Sequence, residues 1–345
     1  RVIAQKLAVE SEAETLIRRP VAEDAHLLDA PSSVPRLLVL VVGETVRAAN
    51  WGLSGYSRNT TPLLAQQAMI NFSDVSSCGT STAVSLPCMF SLQNRRDFDA
   101  RDAARQESIL DVLARAGYDV RWVDNQSGCK GVCDGVTRLV INPEEYPALC
   151  RGEACLDGVL IDVLQQQIRS MTRDTVLVLH MMGNHGPSYY RRYPAEFRAF
   201  IPTCDTADLA QCSQQEITNA YDNALLYTDS VLNGLIDTLK QQSPLPSALL
   251  YLADHGESLG EHGVYLHGLP YAIAPTEQTR VPMVLWLSNV FQQVTGVTNS
   301  CMEQRASLPY SHDDLTHTLM GLLGVQSSVY DAQRDISRAC NVSTR

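Results

Sequence analysis

The chain has 345 residues, 45% of them hydrophobic and 19% charged, the balance of a folded globular protein rather than a disordered or fibrous one. That length suits one large α/β unit. A net charge of −11 argues against a general nucleic-acid binder, which needs a basic face to meet phosphate backbones.

In chain order, the polar stretch Glu10–Arg19 predicts a helix and Asp29-Ala-Pro-Ser-Ser-Val-Pro35 a proline-bearing linker. Residues 1–35 therefore read as a lead-in, and 36–345 as the working domain. The start at Arg1, without Met or a signal peptide, reads as a piece of something longer. Short apolar, β-branched runs then predict strands at Leu37–Val42, Asp119–Val123, Thr175–His180, Ala248–Ala253 and Val281–Leu287. Helical patterns fall between them, at Ser108–Ala116, Leu156–Ser170, Ile217–Gln241 and Asp313–Gly321. This alternation predicts an α/β protein with a mainly parallel sheet flanked by helices. No run approaches the about 20 apolar residues of a membrane span.

In such sheets function gathers outside the carboxyl ends of the strands, and the polar motifs fall there. Leu37–Val42 runs into Gly43-Glu44-Thr45, Thr175–Leu179 into His180-Met-Met-Gly-Asn-His185, and Ala248–Ala253 into Asp254-His255-Gly256-Glu257. Asp254 and His255 pair a carboxylate with an imidazole, both zinc-ligand types; alone, the tripeptide would read equally well as a structural turn. Glu44 adds a carboxylate after an uncharged strand, and a buried carboxylate needs a cation beside it. His185 and His267 lie in glycine-flanked loops. His180 closes a strand and is read as orienting a ligand from behind, whereas His262 reads as an exposed turn residue.

The segment Cys78-Gly-Thr-Ser-Thr82-Ala-Val-Ser-Leu-Pro-Cys88 places hydroxyls just ahead of a helix start, where backbone N–H groups favour phosphate. A helix cap would explain one hydroxyl without a cysteine-flanked loop. A threonine hydroxyl is a poor nucleophile unless a metal activates it, as zinc lowers the pKa of bound water from about 15.7 to about 7. Lys130, one of three lysines against 24 arginines, lies between Cys129 and Cys133 and can act as a fixed charge for phosphate. Arg191 and Arg192 read as a solvated pair that could also meet anionic lipid.

Ten cysteines, eight of them in close pairs (78 and 88, 129 and 133, 150 and 155, 204 and 212), point to disulfides and an oxidising compartment. Cys301 and Cys340 pair only by elimination. A zinc cluster of thiolates is the rival, but no tandem CxxC supports it.

Taken together, Val42-Gly-Glu-Thr-Val-Arg-Ala48, Ser77-Cys-Gly-Thr-Ser-Thr-Ala83, Lys130-Gly-Val-Cys-Asp134, Leu179-His-Met-Met-Gly-Asn-His-Gly-Pro187, Asn219-Ala-Tyr-Asp-Asn-Ala224, Asp254-His-Gly-Glu-Ser-Leu-Gly260 and Tyr265-Leu-His-Gly268 resemble the phosphoethanolamine transferases of Gram-negative inner membranes. That family includes lipid A modifying and mobilised colistin-resistance enzymes. The resemblance implies an α/β/α sandwich of alkaline-phosphatase/sulfatase type and a periplasmic domain, with membrane helices preceding it in the whole protein. It implies a tight zinc on Glu44, Thr82, Asp254 and His255, with Thr82 as nucleophile. His185 and His267 would bind phosphate or a second, weaker zinc, and Lys130 and Ser127 the incoming substrate. Gln126 departs from the asparagine of relatives. The donor implied is phosphatidylethanolamine and the acceptor a lipid A phosphate; a monomer is expected. A sulfatase would need a Cys-x-Pro-x-Arg pattern, which Cys78–Thr82 lacks. A glycerol-phosphate transferase is the nearer alternative, and a lipid-binding domain with a decayed site a third.

Overall fold

A continuous apolar run can be buried on both faces, and three such runs build the middle of a seven-stranded sheet. The structure, a computed structural model, describes residues 18–28 and 34–341. The strands of this sheet are β1 (Leu37–Gly43), β2 (Ile70–Phe72), β3 (Asp119–Asp124), β4 (Thr137–Leu139), β5 (Thr175–His180), β6 (Ser247–Ala253) and β7 (Met283–Leu287). They lie in the order β2-β7-β6-β1-β5-β3-β4. Every pairing is parallel except those that β7 makes with β6 and β2. All residues of β1, β5 and β6 are buried, as expected for strands covered on both sides.

Register then fixes where the chemistry emerges. Val42 pairs with His180 on one side and Leu252 on the other, and Gly43 with Ala253. The three strands thus end level, and Glu44, Met181 and Asp254 leave the sheet at one edge.

The main helices are α1 (Thr82–Met89), α2 (Ile109–Arg115), α3 (Val159–Ser170), α4 (Gln214–Lys240) and α5 (Leu315–Leu323). Reciprocal caps start two of them, Ser108 with Asp111 for α2 and Ser213 with Glu216 for α4. α5 stops at Gly324, whose φ of 68° is the left-handed conformation that suits glycine. α3 packs along α4.

Several expected boundaries move for identifiable reasons. α3 begins at Val159 rather than Leu156, because the Leu156 N–H bonds the Leu149 carbonyl and the Asp157 carboxylate serves another loop. β7 begins after Pro282, which has no N–H for the ladder. The short strands β2 and β4 were not expected. Most of the helix predicted at Glu10–Arg19, and residues 29–33 of the linker, lie outside the described residues; Arg19 forms a bridge with Gln106 rather than a helical turn. The segment from Arg18 to Leu28 runs against the domain, with Arg18 2.9 Å from Asp111 and His26–Leu27 paired to Val325–Gln326.

The ten cysteines form five disulfides, 78–88, 129–133, 150–155, 204–212 and 301–340. Cys301 and Cys340, paired by elimination in the sequence, are joined, and no thiolate is left for a metal cluster among the described residues.

Candidate active site

Glu44 follows β1, Asp254 and His255 follow β6, and Thr82 is the first residue of α1. All four meet. Thr82 Oγ1 lies 2.9 and 3.0 Å from the two Glu44 carboxylate oxygens and 3.3 Å from His255 Nε2. His255 Nε2 stands 3.4 Å from Glu44 Oε1 and 3.5 Å from Asp254 Oδ2. His255 Nδ1–H donates to the Gly256 carbonyl at 2.8 Å, which leaves Nε2 to face the carboxylates. Asp254 Oδ1 accepts from the backbone N–H groups of Thr45 and His255, at 3.0 and 2.7 Å. Close packing holds the β1 exit: a side chain at Gly183 (φ 50°) would strike the Glu44 carbonyl.

Burial opposes charge here, yet two carboxylates and an imidazole share the space. Asp254 is pushed up to about 6, by burial first and then by the Glu44 charge. Burial also raises Glu44, but the hydrogen bond and charge of His255 outweigh it and hold the carboxyl below its usual range. For His255, burial favours the neutral ring; the charges of Asp254 and Glu44 overcome it and lift the pKa to about 10. The pocket thus calls for positive charge, which a proton supplies in part and a dication would supply more fully. Asp254 Oδ2, buried without a hydrogen-bond partner, is an acceptor awaiting one. Glu44, Asp254 and His255 offer ligand atoms all within 4.8 Å of one another, and with the Thr82 hydroxyl they make an oxygen and nitrogen set that fits zinc.

A second tier surrounds these four. His267 lies with its ring 4.5 Å from that of His255 and its Nδ1 3.2 Å from the buried Glu257 carboxylate. The His185 ring is 6.0 Å from that of His267. Burial lowers the pKa of His185 despite the nearby Glu44 charge. Gln126 Nε2 donates to Glu44 Oε2 at 2.7 Å. Ser127 and Lys130 meet on the next turn, the Lys130 ammonium 2.6 Å from the Ser127 carbonyl and 2.9 Å from its hydroxyl. The His180 ring packs edge-on to Trp122 and stands 3.5 Å from Asp124. His262 is exposed.

Three residues that motif reading passed over help build the site. Gln126 registers in the sequence only as a departure from relatives. Glu257 sits in the quoted motif without a role. His312 has no motif; fully enclosed, its Nδ1 accepts the Cys78 N–H and its Nε2 lies on the Ala253 carbonyl, both at 3.0 Å. A backbone N–H can only donate, so the His312 proton is on Nε2. This ring joins the loop carrying Thr82 to the strand end carrying Asp254. Ser85 Oγ adds a 2.5 Å bond to the Asp254 carbonyl.

The sequence profile of the Sulfatase family matches residues 36–325. Across 93% of its length the chain is 47% identical to phosphoethanolamine transferase EptA of Salmonella typhimurium, and it spans 59% of that protein. It superposes with a TM-score of 0.91 on the crystal structure of the soluble domain of lipooligosaccharide phosphoethanolamine transferase A from Neisseria meningitidis; the two are 45% identical, covering 94% of this chain and 99% of that one. Against the integral membrane form of that protein the TM-score is 0.92 at 43% identity, covering 99% of this chain and 65% of that one. Among the described residues no helix is long and apolar enough to cross a membrane. The chain belongs to the sulfatase family and, within it, to the phosphoethanolamine transferases.

Proposed function

We propose that this chain is the periplasmic catalytic domain of an inner-membrane enzyme that moves phosphoethanolamine from phosphatidylethanolamine to a lipid A phosphate, by way of a covalent intermediate on Thr82. The observation that carries the reading is the placement of the Thr82 hydroxyl, hydrogen-bonded to Glu44 and 3.3 Å from His255 Nε2 at the first turn of α1. A bound zinc would supply Lewis acidity and favour the deprotonated hydroxyl. Glu44 lies where it can accept the Thr82 proton, and the first N–H groups of α1 favour the phosphoryl oxygens.

Thr82 Oγ attacks phosphorus, a new P–O bond forms, and the bond to diacylglycerol breaks as that alcohol leaves with a proton. A lipid A phosphate oxygen then attacks the same phosphorus, the P–O bond to Thr82 breaks, and the proton given up by the acceptor phosphate passes to the Thr82 oxygen. Two displacements let donor and acceptor react in turn, which suits two lipids in one membrane. His185, His267 and Lys130 would meet developing charge on the phosphoryl group, with Ser127 beside the acceptor and His185 and His267 also able to hold a second, weaker zinc. Five disulfides support an extracytoplasmic site of action. Residues 1–35 are read as the connection to a membrane portion, with 36–345 acting as one monomeric unit. The added ammonium reduces the anionic character of lipid A and thereby its attraction for cationic peptides such as polymyxin.

Incubation with phosphatidylethanolamine and no acceptor is expected to leave a phosphoethanolamine mass increment on the Thr82 peptide. An adduct mapped to Thr80, or transfer retained in Thr82→Ala, would overturn the assignment.

A further inference from the structure

Beside the site, on the His185 side, a cleft of about 940 Å³ opens between the turn at 148–157 and the segment 188–198. Its volume lies near the top of the roughly 300–1,000 Å³ typical of ligand pockets. Four arginines line it, Arg151, Arg191, Arg192 and Arg198, against two carboxylates, Asp157 and Glu196. Asp157 accepts from Asn125 Nδ2 and from the N–H groups of Met182 and Gly183, at 2.7–2.8 Å, and its charge offsets that of Arg192, so the excess positive charge rests on Arg151 and Arg191. Arg198 is held by Thr203 and Asp205. Arg191 lies over the Tyr190 ring, 5.4 Å from its centre, with Nε bonded to the Tyr190 hydroxyl. Arg151 has no ion pair among the described residues. This positive wall stands in a chain of net charge −11.

Arg192 ties the cleft to the chemistry. Its Nε donates to the His185 carbonyl at 2.7 Å, so the cleft and the second tier of the site share a wall. We infer that this cleft binds an anionic group of the acceptor other than the phosphate being modified, a second phosphate or a carboxylate on a phosphorylated sugar headgroup. The inference rests on the proposed transfer to lipid A. Charge distinguishes the two substrates: a cluster of guanidinium groups repels the ammonium of the donor and attracts a polyanionic acceptor. The cleft would thus admit the acceptor and disfavour a second donor molecule.

The test uses the 345-residue chain loaded with zinc and the deacylated lipid A headgroup, a glucosamine disaccharide bisphosphate, as probe. Calorimetry on wild type and on Arg151→Glu/Arg191→Glu is expected to show Kd raised by about tenfold or more in the variant, and wild-type binding weakened by salt. The milder Arg151→Gln/Arg191→Gln pair, checked by thermal melting, gives the same reading if charge reversal impairs folding. In turnover, acceptor KM should rise by a larger factor than diacylglycerol release from phosphatidylethanolamine falls. Unchanged headgroup affinity in both variants, or equal losses in the two measurements, overturns the cleft assignment. A wild-type chain that binds the headgroup through these arginines but releases no diacylglycerol sinks the proposed transfer and leaves the cleft standing.

Discussion

His312 is the residue whose removal most directly tests how the site is assembled. Truncation to alanine strands two buried backbone groups, the Cys78 N–H and the Ala253 carbonyl. Each unsatisfied group costs about 1–3 kcal/mol, and the vacated ring volume adds to this, giving about 3–6 kcal/mol against a total stability of about 5–15 kcal/mol. His312→Asn can keep an acceptor for Cys78 while losing the bond to Ala253, so about half that loss is expected. Burial, with the nearby His255 charge adding to it, pushes the His312 pKa down to about 3, against about 6.5 in the unfolded chain. Between those values the unfolded state binds a proton that the folded state refuses, so stability falls as pH drops below 6.5, by about 1.4 kcal/mol per unit from this group. Urea titrations at fixed zinc, at pH 7 and pH 5, should show wild type losing about 2 kcal/mol more than His312→Asn over that interval. An alanine variant within about 1 kcal/mol of wild type, or parallel pH slopes in the two proteins, would refute the reasoning.

Glu44→Ala should lower zinc content in metal analysis by more than about tenfold, because it removes one of the two carboxylates proposed to hold the ion; full occupancy would exclude the site. Chelation of wild type should lower the melting temperature by mass action, and re-added zinc should restore it. Glu257→Gln should leave the first zinc bound but reduce turnover by about tenfold or more, since it removes the charge that orients His267; a wild-type rate would count against that role. Reductant should also lower the melting temperature, each bridge contributing roughly 2–4 kcal/mol, and several free thiols in denatured, unreduced protein would contradict the five disulfides.

The parallel core was legible because β1, β5 and β6 each hold an unbroken apolar run, Leu37–Val42, Val176–Leu179 and Ala248–Ala253, as strands buried on both faces require. β2 and β4 were not, since three residues carry no periodicity and their pairing depends on β7 and β3 being in place. The same division holds in the site. Glu44, Asp254 and His255 could be read because each directly follows a buried strand, so local sequence predicts position. Gln126, Glu257 and His312 act through partners 82, 10 and 234 residues away in the chain, and spacing carries no sign of that. His180, read from its place at the end of β5 as orienting a ligand, stands beside Asp124 and Trp122.

The motif Asn219-Ala-Tyr-Asp-Asn-Ala224 marks the family without touching the four central residues, and its contacts explain why such a segment matters. The Tyr221 hydroxyl donates to the Thr45 carbonyl and accepts from the Arg47 N–H, gripping the chain just after Glu44. Asp222 accepts from Asn50 and Tyr56 and pairs with Arg58, while Arg47 Nη1 reaches the Glu257 carbonyl and Glu261. α4 thereby locks the β1 exit loop to the β6 exit loop, as His312 locks the Thr82 loop to β6 and Asp157 the β5 exit to Asn125. Like charges at contact distance push each other apart unless rigid supports hold them in place, and preorganised charges stabilise a transition state only if they need not rearrange when it forms. A site of two carboxylates, an imidazole and a hydroxyl therefore depends on the residues around it as much as on those four. Loss of Tyr221 should accordingly act at a distance: Tyr221→Phe, which deletes only the hydroxyl, is expected to lower zinc affinity and turnover together, whereas an effect confined to global stability would mean that the grip on Thr45 and Arg47 plays no part in arranging Glu44.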